Sequence, residues 1–296
     1  MLNIERRHFS ASTRVLILLG LALGGLIVAS VAAALFLLAS DKLLHAVILL
    51  QDFAVFILPA VLAVAICYRK PMRFMCLTEA PNWRAVVGVI IVMAVSLPAM
   101  NWLVAWNEGL SLPSAFEWLE NLLRTSEDAA GEVTKEMMSG TSVWKMLLNL
   151  FVVGVMAGVS EEIFFRGGMA RLMSPEWRHG HAVIWIVAAV FSAVHMQFYG
   201  FVPRLLLGAW MGYLLWWTRS LWVPIIAHAL NNSVVVMGTY LDNCGLIPSD
   251  AVDHLGVPQD GSFAWLALCS AVVTAVAIVV LRKTFFKKKM PPIPVE

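Results

Sequence analysis

A chain of 296 residues that is 60% hydrophobic and only 14% charged lies far from the composition of a soluble globular domain, about half apolar and a quarter charged. A formal net charge of +2 gives no footing for nucleic-acid binding. Four scattered cysteines, with no Cys-x-x-Cys pair among them, argue against a disulfide framework and against a zinc or redox motif.

A helix needs about 20 mostly apolar residues to cross a hydrocarbon core of roughly 30 Å. That rule predicts an all-α, polytopic integral membrane protein of about eight transmembrane helices, at 15–39, 43–68, 85–106, 144–172, 181–199, 202–219, 221–240 and 263–282. The first run is longer than a signal-peptide core and lacks a small-x-small cleavage site after it, so it reads as a retained span. The fifth to seventh follow one another so closely that they form successive tight hairpins.

Basic residues precede the first span (Arg6, Arg7, Arg14), lie between the second and third (Arg69, Lys70, Arg73, Arg84) and between the fourth and fifth (Arg171, Arg178), and follow the last (Arg282, Lys283, Lys287, Lys288, Lys289). All fall on one side, which the positive-inside rule makes cytoplasmic, so both termini are expected there; the expected location is a bacterial cytoplasmic membrane. The opposite side receives the acidic loop 107–142, with Glu108, Glu117, Glu120 and Glu127, and the Asp242, Asp250, Asp253, Asp260 loop. Lys42 and Arg204 are isolated charges outside the pattern.

In the acidic loop, Phe116, Leu119, Leu122 and Leu123 recur at helical spacing, which fits either a short amphipathic helix at the interface or a solvated connector. The chain divides into an N-terminal three-span region (1–143), a core of spans four to seven (144–240), and an outer loop, last span and basic tail (241–296). The proline-rich end, Met290 to Glu296, is expected to be disordered, with the preceding lysines against anionic lipid. Trp102, Trp106, Trp216, Trp217 and Trp222 read as interfacial anchors.

Charged groups near a bilayer centre cost at least about 2.5 to 3.5 kcal/mol on insertion scales, so those that persist are functional candidates. The spans hold Gln51, Asp52, Asn101, Asn149, Glu161, Glu162, Arg166, His195, His228, Asn231 and Asn232. Gln51 and Asp52 read as helix contacts or as partners of Arg204. Successive helical residues point about 100° apart, so Glu161 and Glu162 cannot serve one surface. Glu162 stands four residues before Arg166, the favourable order for an ion pair along a helix, which leaves Glu161 turned elsewhere. Gly154 and Gly158 would let a neighbouring helix come close beside the carboxylates. His228 and Asn232 share a face of span seven.

A carboxylate, two histidines and an amide make a hydrolase set. Glu161 suits a general base for water, His195 could share that water and its proton, and His228 with Asn232 could donate to a developing oxyanion. No covalent nucleophile is required. One Glu and two His would also serve as zinc ligands, but no His-Glu-x-x-His is present, and no metal or other cofactor is expected. The bland alternative for Glu162 and Arg166 is an ion pair that only sets register.

These residues form three motifs on successive spans: Glu161-Glu162-x-x-x-Arg166, Phe191-x-x-x-His195 and His228-x-x-x-Asn232. In this the chain resembles the CAAX prenyl endopeptidase and bacteriocin-processing or self-immunity family, the intramembrane glutamic endopeptidases. The resemblance implies an eight-helix membrane fold that cleaves near the C-terminus of lipid-modified or membrane-associated peptides. It further implies that Glu161 activates water beside His195, that His228 and Asn232 stabilise the oxyanion, and that Glu162 and Arg166 support them. The expected partners are a peptide or protein substrate at the membrane and the bilayer itself. The alternatives are an inactive scaffold or immunity-type protein, and a small-solute carrier, although the chain lacks the repeats common in transporters.

Overall fold

The structure, a computed structural model, describes residues 9–39, 43–174, 177, 179–249 and 251–285. The expectations for Arg6, Arg7, Lys42, Arg178, Asp250 and the tail from 286 on lie outside these residues. Every regular element in the described residues is helical. In chain order these are α1 (Ala11–Ala39), α2 (Leu44–Cys67), α3 (Trp83–Glu108), α4 (Glu117–Met138), α5 (Val143–Met173), α6 (Gly180–Val194), α7 (Phe201–Thr218), α8 (Trp222–Asn243) and α9 (Trp265–Phe285), with short helical turns at Pro71–Phe74, Ser114–Phe116 and Phe198–Gly200.

Among the described residues, six helices are long and apolar enough to cross a membrane: α1, α2, α3, α5, α7 with its preceding turn, and α9. The remaining two of the eight predicted spans, α6 and α8, are helices that fall outside that set. The fifth, expected over 181–199, stops at Val194 after 15 residues, because the chain turns at His195 and Met196 takes a left-handed φ of 54°. The seventh, α8, has 22 residues, but His228, Asn231 and Asn232 interrupt its apolar run.

Two apolar cores organise the bundle. One joins Leu18, Ala60, Val64, Phe164, Phe165, Ile184, Phe191 and Leu215, and so ties α1, α2, α5, α6 and α7 together. The other joins Val89, Val92, Met211, Leu214, Val223, Ala227 and Leu281, from α3, α7, α8 and α9. Leu16, Leu23, Ile27 and Val31 of α1 and Val272, Val276 and Val279 of α9 face outward, as lipid-contacting helices require. Trp102, Trp106 and Trp222 are exposed as anchors would be. Trp216 and Trp217 instead enter aromatic stacks with Trp177, His181, Tyr213 and Trp210.

The acidic loop contains a helix, α4, so of the two readings the amphipathic helix holds. Leu119 and Leu123 turn toward the protein, while Phe116, Trp118, Leu122 and Val133 are exposed. The Arg124 guanidinium lies 4.0 Å over the Tyr199 ring, and Glu127 accepts the Tyr199 backbone N–H at 3.2 Å. Asn107, at the end of α3, donates to the Phe198 carbonyl and accepts from the Val202 N–H. These contacts clamp the α6–α7 turn to the end of the bundle that carries the acidic loop.

Both α2 and α5 contain π-helical stretches, at Asp52–Ile57, Leu150–Met156 and Ile163–Ala170. The last two bracket a short α-helical segment, Ala157–Glu162, and wide turns of this kind occur often at functional sites. Gly154 and Gly158 lie where α8 crosses α5. A Cβ on Gly158 would meet the Ala229 backbone N at 2.9 Å, and one on Gly154 would meet Ser233 Oγ at 2.6 Å. Gly158→Leu is therefore expected to destabilise the protein by about 1–3 kcal/mol through overpacking, read as a lowered Tm in detergent. An unchanged Tm would show that α8 can retreat at no cost.

Candidate active site

Close crossing at Gly158 lets α8 present His228 to the two glutamates of α5. Glu162 is fully buried and Arg166 is 1% exposed. Arg166 Nη1 donates to Glu162 Oε1 at 2.8 Å, the pair expected from their spacing. Its Nη2 donates to the Gly208 carbonyl of α7 at 2.8 Å, and its Cζ lies 4.6 Å over the Phe191 ring of α6. Arg166 thus fastens three helices as well as neutralising Glu162.

His228 spans the two carboxylates. Its Nδ1 lies 2.8 Å from Glu162 Oε1, and its Nε2 lies 3.7 Å from Glu161 Oε2. An ionised carboxylate only accepts hydrogen bonds, so Nδ1 carries the hydrogen and Nε2 is turned to Glu161. Glu162 orients this ring as the buried aspartate of a serine-protease triad orients its histidine. The Nε2–Glu161 gap is too long for a hydrogen bond, but catalytic contacts often tighten only with substrate in place.

Glu161 keeps 15% of its side chain exposed, and its Oε2 has no hydrogen-bond partner among the described residues. His195 sits at the C-terminal end of α6 and is within electrostatic range of Glu161. Its Nδ1 donates to the Phe191 carbonyl at 2.7 Å, again leaving Nε2 free. Phe191 also stacks edge-on against both rings, with centroids 5.0 Å from His195 and 5.9 Å from His228. The Phe191-x-x-x-His195 spacing therefore has two physical reasons, a carbonyl that sets the tautomer and a ring that walls both imidazoles.

Asn232 is held differently from what its spacing suggests. Its Nδ2 donates to the Val153 carbonyl at 3.0 Å, within the π-helical stretch of α5. An amide nitrogen has two hydrogens, so one is committed to the helix crossing and one is left over.

Asp52, expected to make helix contacts or to pair with Arg204, enters the same neighbourhood. It does not pair with Arg204, which donates to Gln197 instead. Asp52, only 5% exposed, accepts from Ser160 Oγ at 3.0 Å and interacts electrostatically with Glu161. An acidic residue inside an apolar span was the usable signal. The helix it would face was not readable from the sequence. Among the described residues, no three His, Cys, Asp or Glu side chains are gathered closely enough to hold a metal ion.

With this geometry in view, residues 143–234 match the model of a family described as type II CAAX prenyl endopeptidase, Rce1-like. The match covers the segment from the start of α5 into α8, which holds all three motifs. No curated protein and no solved structure matches the chain.

Proposed function

We propose that this chain is a membrane-embedded endopeptidase that hydrolyses a peptide bond in a membrane-associated or C-terminally lipidated peptide, with water activated by Glu161. The observation that carries the reading is the relay Arg166–Glu162–His228–Glu161, buried except at its last member. Glu162, Arg166 and His228 are at most 5% exposed, whereas Glu161 keeps 15% of its side chain exposed and has no hydrogen-bond partner at its Oε2 among the described residues.

In the proposed step Glu161 takes a proton from water, and the resulting hydroxide attacks the scissile carbonyl carbon. His195 Nε2 accepts a hydrogen bond from the same water and orients it. The negative charge on the carbonyl oxygen is met by His228 Nε2–H, in the charged form of the ring, and by the second N–H of Asn232. Collapse of the intermediate breaks the C–N bond, and the proton held on Glu161 passes to the leaving nitrogen. Glu162 and Arg166 are positioning residues.

The chemistry is proposed to need no metal and no other cofactor. Full-length protein in detergent, offered a pool of membrane-associated peptides, is expected to release defined fragments detectable by mass spectrometry, at a rate unchanged by a zinc chelator. Loss of cleavage on chelation, restored by zinc, would replace the water-activating glutamate with a metal site. Absence of any fragment would favour the scaffold reading.

A further inference from the structure

Arg204 has no part in the chemistry proposed above. It lies in the first turn of α7, half-buried, and is bound to the turn that follows His195. Its Nη2 donates to Gln197 Oε1 at 2.7 Å and its Nη1 to the Gln197 carbonyl at 3.4 Å. Gly200 lets the guanidinium fold back this closely, since a Cβ there would sit 2.9 Å from Nη2. Both partners are neutral, and no ion pair holds Arg204 among the described residues. Glu161, Glu127 of α4 and His195 all lie within electrostatic range of it.

A guanidinium offers five N–H donors in a planar fork that matches a carboxylate. Removing such a charge partly from water with no carboxylate in direct contact is costly, and a docked anion offsets part of that cost. Gln197 stands two residues beyond His195, so an anion on Arg204 would dock beside the reacting groups.

We propose that Arg204, positioned by Gln197, is a subsite for a peptide carboxylate and fixes where along the peptide the enzyme cuts. This rests on the endopeptidase reading. The carboxylate is either the free C-terminus of the substrate or an acidic side chain near it, and the test separates the two.

Full-length protein in detergent micelles is given membrane-associated peptides that differ only at the carboxyl end. One is a free acid, one a C-terminal amide, and one an amide with an acidic residue among its last positions. KM for the plain amide is expected to exceed that for the free acid by roughly ten- to a hundred-fold, the usual worth of a charge-assisted pair. Arg204→Gln should erase that preference and Arg204→Lys restore part of it. If the acidic amide matches the free acid, the subsite takes a side chain; if it behaves as the plain amide, the subsite takes the terminus. Equal KM for all three peptides on the wild type would overturn the subsite alone. So would an Arg204→Gln variant that lowers kcat on all three alike, since Arg204 would then act through Glu161. No cleavage of any peptide by the wild type would remove the endopeptidase reading and the subsite together.

Discussion

Glu161→Gln is expected to reduce peptide cleavage by roughly 10²- to 10⁴-fold, the usual contribution of a positioned general base, with Tm in detergent unchanged. Glutamine keeps the shape of the side chain but cannot take a proton from water. Little of the fold rests on this side chain, because Glu161 is partly exposed and its Oε2 lies 3.7 Å from His228, beyond hydrogen-bond reach. Turnover and melting should be measured on the same preparation. Retained turnover would remove Glu161 from the chemistry, and a large fall in Tm would make it a structural group. Glu162→Gln supplies the contrast. Glu162 Oε1 receives both Arg166 and His228 at 2.8 Å, so that variant should lose activity and stability together.

The largest effect on stability is expected from Arg166→Leu. Removing one member of a buried ion pair strands the other, a loss of about 3–5 kcal/mol. Here the stranded group is Glu162, fully buried, and the Gly208 carbonyl also loses its donor. The double variant Glu162→Gln with Arg166→Leu should recover part of that loss, since no unpaired charge is then buried. It should recover no activity, because His228 Nδ1 has lost the carboxylate that orients it. Thermal unfolding of the two single variants and the double closes a cycle that isolates the coupling between the residues. If Arg166→Leu unfolds at the wild-type temperature, the pair is not held in the desolvated arrangement described above.

Comparing these residues shows which features a local reading could supply. Glu162 and Arg166 sit on one helix, so their spacing was enough to pair them. Gly154 and Gly158 marked a close helix approach for the same reason, because only a missing side chain lets a second backbone in. Asp52 and Ser160 are 108 positions apart and His228 and Glu162 are 66 apart, and no periodicity within one span refers to its neighbours.

By itself, the sequence determined that this protein is helical and lies in a membrane, and it brought Glu161, Glu162, Arg166, His195, His228 and Asn232 forward as a set. Length of apolar run and i, i+4 spacing are properties of single helices, and both survive without knowing what packs where. Tertiary structure alone decided that His228 stands between the two glutamates, that Asn232 gives one hydrogen to the α5 backbone, that α6 stops at His195, and that Asp52 and Arg204 border the site. The physical reason is that apolar helix faces in a membrane are nearly interchangeable to lipid. Which faces meet is settled by small-residue contacts such as Gly158 on Ala229 and by the polar groups that must find partners once water is gone.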